Sequence, residues 1–133
     1  MSKRVVRTEN APAPFQGAPY SQAVVHGDLV FVAGQIGVDP ETNQVVEGGI
    51  EAQTEQVMKN ISAILEQAGS RLANVLKASI FIVDFGNFAA MNEVYARHVG
   101  PDFPARATVE IAGLPSGALV EIEVLAHLAE TAS

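Results

Sequence analysis

Hydrophobic residues recur with two different periods along this chain, and the change of period divides it into elements. From Ile50 to Ala68 the apolar positions include Ile50, Val57, Ile61, Ile64, Leu65 and Ala68, a spacing that gathers them on one side of a helix. Gly69 follows, where a left-handed residue closes a helix C-terminus. A second helical stripe of Phe88, Met91, Val94, Tyr95 and His98 runs through Phe88–Val99, with Asn87 in position to cap it. Elsewhere the period shortens to two. Gln22–Val25 and Leu29–Ala33 read as strands joined by a turn at His26-Gly27-Asp28. Val75–Val83 reads as a strand whose second half is apolar on both faces. "PARATVEIAGLPSGALVEIEV", Pro104 to Val124, reads as two more strands joined by a turn, and Arg4–Thr8 is a candidate first strand. "DPETNQ" is a further turn, with Pro40 presetting its φ angle. The Pro-, Ala- and Gly-rich stretch Asn10–Gln22 is a loop.

The resulting order, β, β, α, β, α, β, β, describes one α+β domain over residues 1–133: a mixed sheet with two helices on one face. Six strands at roughly 4.8 Å spacing span about 24–29 Å, which two helices of about 10 Å each cover once. No helix remains for the other face, yet "LVFVAG" and "SIFIV" place apolar side chains there too. Another copy of the chain is expected to cover it.

Composition narrows the chemistry. Of 133 residues, 48% are hydrophobic and only 17% charged, which fits a chain that buries surface in an oligomer. A net charge of -7, with eight scattered basic residues, argues against a nucleic-acid partner. The absence of cysteine excludes disulfides, thiolate catalysis and Cys-ligated metals. No N-terminal apolar h-region and no apolar run near 20 residues is present, so a cytoplasmic protein without a membrane partner is expected. His26, His98 and His127 show no metal-ligand spacing. "NIS" at Asn60–Ser62 matches a glycosylation sequon but falls inside the first helix, and Gly48-Gly49 reads as a turn rather than an anion site. There is no G-x-S-x-G elbow and no P-loop.

The charges of the last strand pair are the most informative feature. Ala118, Val120, Ile122, Val124 and Ala126 share one face, assigned to the helices, while Leu119, Glu121, Glu123, Leu125 and His127 share the other. On the preceding strand Arg106, Thr108 and Glu110 alternate with Ala105, Ala107, Val109 and Ile111. Matching apolar faces predicts a hairpin register with Thr108 near Glu121 and Arg106 near Glu123, all on the face that lacks a helix. Two readings follow from the residues alone. Arg106 pairs with Glu121 or Glu123 as an interface salt bridge, or it clamps a substrate carboxylate while a nearby carboxylate positions a water.

"GAPYSQAV" (Gly17–Val24), "VAGQIGVDP" (Val32–Pro40), "FAAMNEVYARH" (Phe88–His98) and "FPARATVEIAGLPSGALVEIEVLA" (Phe103–Ala126) together resemble the RidA (YjgF) family of reactive imine/enamine deaminases, also described as L-PSP endoribonucleases. The resemblance runs from about Thr8 to Leu128. It implies a chorismate-mutase-like α+β fold assembled as a homotrimer with clefts between subunits. It further implies that Arg106 grips the carboxylate of a 2-imino acid such as 2-iminobutanoate or 2-iminopropanoate. Glu121 would hold the water that attacks the imine carbon. Tyr20, Gly34, Asn92 and Thr108 would line the cleft, with the Thr108 backbone serving where relatives often carry cysteine. Ala33 stands where a serine commonly precedes the "GQ" pair. No metal or organic cofactor is implied, and the product is a 2-keto acid plus ammonia. The competing functions are an endoribonuclease or translation inhibitor, a non-catalytic 2-keto acid sensor, and a holdase.

Overall fold

The computed structural model describes residues 2–129. Six strands form the main sheet: β1 (Arg4–Val6), β2 (Ala23–His26), β3 (Leu29–Ile36), β6 (Val75–Ile82), β7 (Ala105–Glu110) and β8 (Val120–His127). A two-stranded ribbon, β4 (Val38–Asp39) and β5 (Gln44–Val45), flanks the "DPETNQ" turn. The helices are α1 (Gly49–Ala68) and α2 (Phe88–Val99).

Each helix follows its apolar stripe. Val57, Ile61, Ile64, Leu65 and Ala68 of α1 are buried with Met58, and Met91, Tyr95 and Val99 of α2 join the same core cluster. Gly69 closes α1 in the left-handed region at φ 94°, its N–H donating to the Glu66 and Leu65 carbonyls. Asn60, the sequon residue, is buried within α1. Its amide donates to the Ile36 and Val38 carbonyls and so ties the β3–β4 segment to the helix. The cap of α2 differs from expectation. Asn87 makes no side-chain capping bond, and Asp84 instead accepts from the Gly86 N–H to start a 3-10 turn, Phe85–Asn87, that runs into the helix.

The sheet order is β1-β2-β3-β8-β6-β7, antiparallel except for the parallel pair β6–β7. This corrects the expected hairpin of the last two strands. α2 carries the chain from the end of β6 back to its start, so β7 must lie parallel to β6, on its outer edge. The segment from Ile111 to Leu119 then passes β6 and feeds β8 in on its other side. In register, Thr108 lies beside Ile80 and Arg106 beside Ala78, whereas Glu121 lies beside Phe81 and Glu123 beside Ser79. Thr108 is therefore not a neighbour of Glu121, nor Arg106 of Glu123.

The face assignment of β7 is corrected with it. Residues paired across strands share a face. Ala78, Ile80 and Ile82 are buried under the helices, so Arg106, Thr108 and Glu110 lie on the helix side. Ala105, Ala107 and Val109 instead turn to the open face, paired with Lys77, Ser79 and Phe81. On β8 the assignment holds: Val120, Ile122, Val124 and Ala126 are buried, and Glu121 and Glu123 are on the open side. That open face carries exposed Val5, Leu29, Phe31 and Val109, with Val5, Val24, Phe31 and Leu125 in one cross-strand row.

Candidate active site

The site residues named from sequence fall into two groups on opposite faces of the sheet. The first surrounds Arg106. Its guanidinium carbon lies 5.4 Å from the ring centroid of Phe88 and 5.2 Å from that of Tyr95, both on α2. These are cation–π distances. The only ion pair among the described residues is elsewhere: Glu55 on α1 meets His98 on α2 at 2.9 Å. Hydrogen bonding to His98 holds the Glu55 carboxyl below its ordinary value. Arg106 thus has no carboxylate partner within its own described chain, and the salt bridge to Glu121 or Glu123 is absent there. Close by, Asn92 and Tyr95 on the same helix and Thr108 on β7 carry buried side-chain oxygens without hydrogen-bond partners. Such atoms are rare in folded proteins and call for an explanation. Burial pushes the Tyr95 hydroxyl's pKa up, against a smaller opposing effect of Arg106.

Glu110, the third polar residue of β7, is structural. Its Oε1 accepts from the Phe85 N–H at 2.8 Å and so holds the turn that begins α2.

The second group surrounds Glu121. Burial pushes its carboxyl up from the ordinary range, and the charge of Glu123 adds to the shift. Gly34 sits directly against it, for a Cβ at this position would come within 2.8 Å of Glu121 Cδ and 2.9 Å of Oε1. The β3–β8 pairing shifts register between Val32 and Gln35, and this irregularity brings the glycine backbone over the carboxylate. Gly34 and Tyr20 both line a cleft of about 710 Å³ with Phe15, Ile36, Asn43 and Ser116. The Tyr20 hydroxyl accepts from the Phe15 N–H at 2.6 Å, fixing the N-terminal loop over this cleft. Ala33 joins the same loop to β3, its N–H donating to the Gln22 carbonyl at 2.9 Å.

β6 lies between β7 and β8, so the two are two pairing steps, roughly 9.6 Å, apart, and the side chains diverge to opposite faces. One chain alone does not bring Arg106 to Glu121. Phe88 and Tyr95 are the neighbours that sequence reasoning missed. Both were legible as stripe residues, but their role depends on β7 lying under α2, which the expected hairpin excluded. No cluster of three or more His, Asp or Glu side chains is placed to hold a metal among the described residues, and no described helix is long and apolar enough to cross a membrane.

The family profile described as Endoribonuclease L-PSP matches residues 8–128. This chain belongs to the RidA/YjgF/L-PSP family. A RutC family protein of Pyrococcus abyssi is 48% identical over 96% of this chain and 98% of its own length. A 2-iminobutanoate/2-iminopropanoate deaminase of Capra hircus is 41% identical over 93% of this chain and 89% of its own. Among solved structures, RidA from the Antarctic bacterium Psychrobacter sp. superposes with a TM-score of 0.89 at 43% identity, covering 94% of this chain and 99% of that one. The RidA-family fold thus accounts for the six-stranded mixed sheet and two helices, and imine deamination is an activity named within the family.

Proposed function

We propose that the protein hydrolyses reactive 2-imino and 2-enamino acids, such as 2-iminobutanoate and 2-iminopropanoate, to 2-keto acids and ammonia. The observation that carries this reading is Arg106: a guanidinium laid on two aromatic rings, with no carboxylate partner among the described residues. A planar fork in that state matches the two oxygens of a substrate carboxylate. Asn92 on α2 and Thr108 on β7 carry buried, unpartnered oxygens, for which the substrate's N–H or a water would supply donors.

The reaction needs little beyond position. Glu121, as a carboxylate, takes a proton from a water as the water oxygen bonds to the imine carbon, and passes that proton to the nitrogen to give a carbinolamine. Glu121 then takes the carbinolamine hydroxyl proton and delivers it to the nitrogen as the C–N bond breaks and the carbonyl of the keto acid forms. Both protons come from the one water, so one water is consumed and one ammonia released. Holding carboxylate and water together supplies several kcal/mol of the barrier reduction in reactions of this kind. No organic cofactor or metal has a step in this scheme.

Because Arg106 and Glu121 diverge within one chain, the site is assembled between copies. The Arg106 side of one protomer would face Glu121 of the next, beside the cleft that Gly34 and Tyr20 line. The apolar open face of the sheet is the surface that association would bury, and the family resemblance implies a homotrimer. An acidic chain with scattered basic residues suits a small anion held at one arginine better than it suits RNA. The test is ammonia or keto-acid release from freshly generated 2-iminopropanoate and 2-iminobutanoate. Native protein should accelerate release and Arg106→Ala, still assembled, should not; equal rates for native protein and buffer would sink the reading.

A further inference from the structure

We propose that Phe88 and Tyr95 are positioning residues for Arg106, two aromatic faces that hold the guanidinium so that its donor edge stays turned toward the substrate carboxylate. The inference rests on the deaminase reading of this site.

An arginine side chain has many rotamers, and fixing them at the moment of binding costs affinity. Here the cost is met within the fold. Phe88 and Tyr95 lie seven residues apart on α2, two turns on one side of the helix, and both rings stand within cation–π reach of Arg106 at 5.4 and 5.2 Å. Stacking occupies the face of a guanidinium and leaves its N–H groups free, unlike an ion pair, which would consume them. Phe88 is itself braced. Its ring lies 5.3 Å from that of Phe85 at a 31° tilt, and the Phe85 N–H is held by Glu110 at 2.8 Å. Glu110 sits on the same strand as Arg106, four residues on and on the same face. The contacts therefore close a loop, from β7 through Glu110, Phe85 and Phe88 back to Arg106. Such a brace fixes the arginine relative to its own strand before any ligand arrives.

The experiment compares binding of 2-oxobutanoate, a carboxylate that the enzyme does not turn over, by titration calorimetry, together with kcat and KM for 2-iminobutanoate. Phe88 is only partly buried, so it is the position to vary. Phe88→Leu should weaken 2-oxobutanoate and raise KM by about tenfold, with kcat changed far less. Phe88→Tyr, which keeps an aromatic face, should recover most of that loss. Native affinity in Phe88→Leu, while Arg106→Ala abolishes binding, would overturn the brace and leave the carboxylate clamp standing. Equal losses in Phe88→Leu and Phe88→Tyr would also overturn it, since shape alone would then explain them. Undiminished binding by Arg106→Ala would instead overturn the reading of the site beneath it. A measurement on the native protein stands independent of any variant's folding. The Arg106 side-chain N–H resonance should be displaced by the ring currents, and a free-arginine shift would contradict the stacking.

Discussion

Glu121 packs against Gly34, and each constrains what the other can be. Alanine at position 34 would put a methyl 2.8 Å from the carboxylate carbon, so the Glu121 side chain must swing aside. Gly34→Ala is expected to keep its circular dichroism spectrum and lose at least about tenfold in kcat, since small misplacements of a catalytic group cost heavily. The pH dependence follows from the direction of the Glu121 shift. Burial and Glu123 raise its pKa, so it takes up a proton at a higher pH than an ordinary carboxylate does. In the proposed reaction the base is the unprotonated form, and Arg106 would pair with the substrate carboxylate rather than with Glu121. The acid limb of the kcat profile is therefore expected above the usual carboxylate range. A limb at or below pH 4 would contradict this.

At the scale of elements, periodicity carried most of the fold. The helices were legible because Val57, Ile61, Ile64 and Leu65, and likewise Met91 and Tyr95, repeat at a spacing only a helix turns into one face. Strand identities were legible in the same way. The place of β7 was not, since nothing in "ARATVE" states whether the next strand or the previous one is its neighbour. The parallel crossover through α2 decides this, and it reverses which residues of β7 face the helices. Ala105, Ala107 and Val109 looked like core because they are apolar, but they turn to the open face. Asn87 keeps the α2 N-cap position without a side-chain bond, because a 3-10 turn capped by Asp84 precedes the helix. Asp84→Ala should lower unfolding free energy by about 1 kcal/mol in urea titration, and the same change at Asn87 should cost less.

At the scale of the whole molecule, the candidate site was legible as a set of residues but not as a place. Arg106, Glu121, Tyr20, Gly34, Asn92 and Thr108 could be named from motifs. Their division between two faces emerges only from strand order. On the proposed function, a fold that points Arg106 one way and Glu121 the other would gain a catalytic centre by repeating itself. The exposed Phe31, Leu29, Val5 and Val109 supply an apolar surface suited to bury against such a copy. The proposed function would thereby link assembly to activity: only the assembled protein should turn substrate over.

Mixing two inactive variants tests this most directly. Arg106→Ala and Glu121→Gln chains, each alone, are expected to release ammonia from 2-iminobutanoate no faster than buffer; the two are then co-expressed and purified as mixed assemblies. Random mixing leaves about a quarter of the interfaces with a native Arg106 facing a native Glu121. The mixture should therefore regain a fraction of native activity near that proportion. A mixture as inactive as its components, with heteromeric assembly demonstrated, would contradict a site shared between copies.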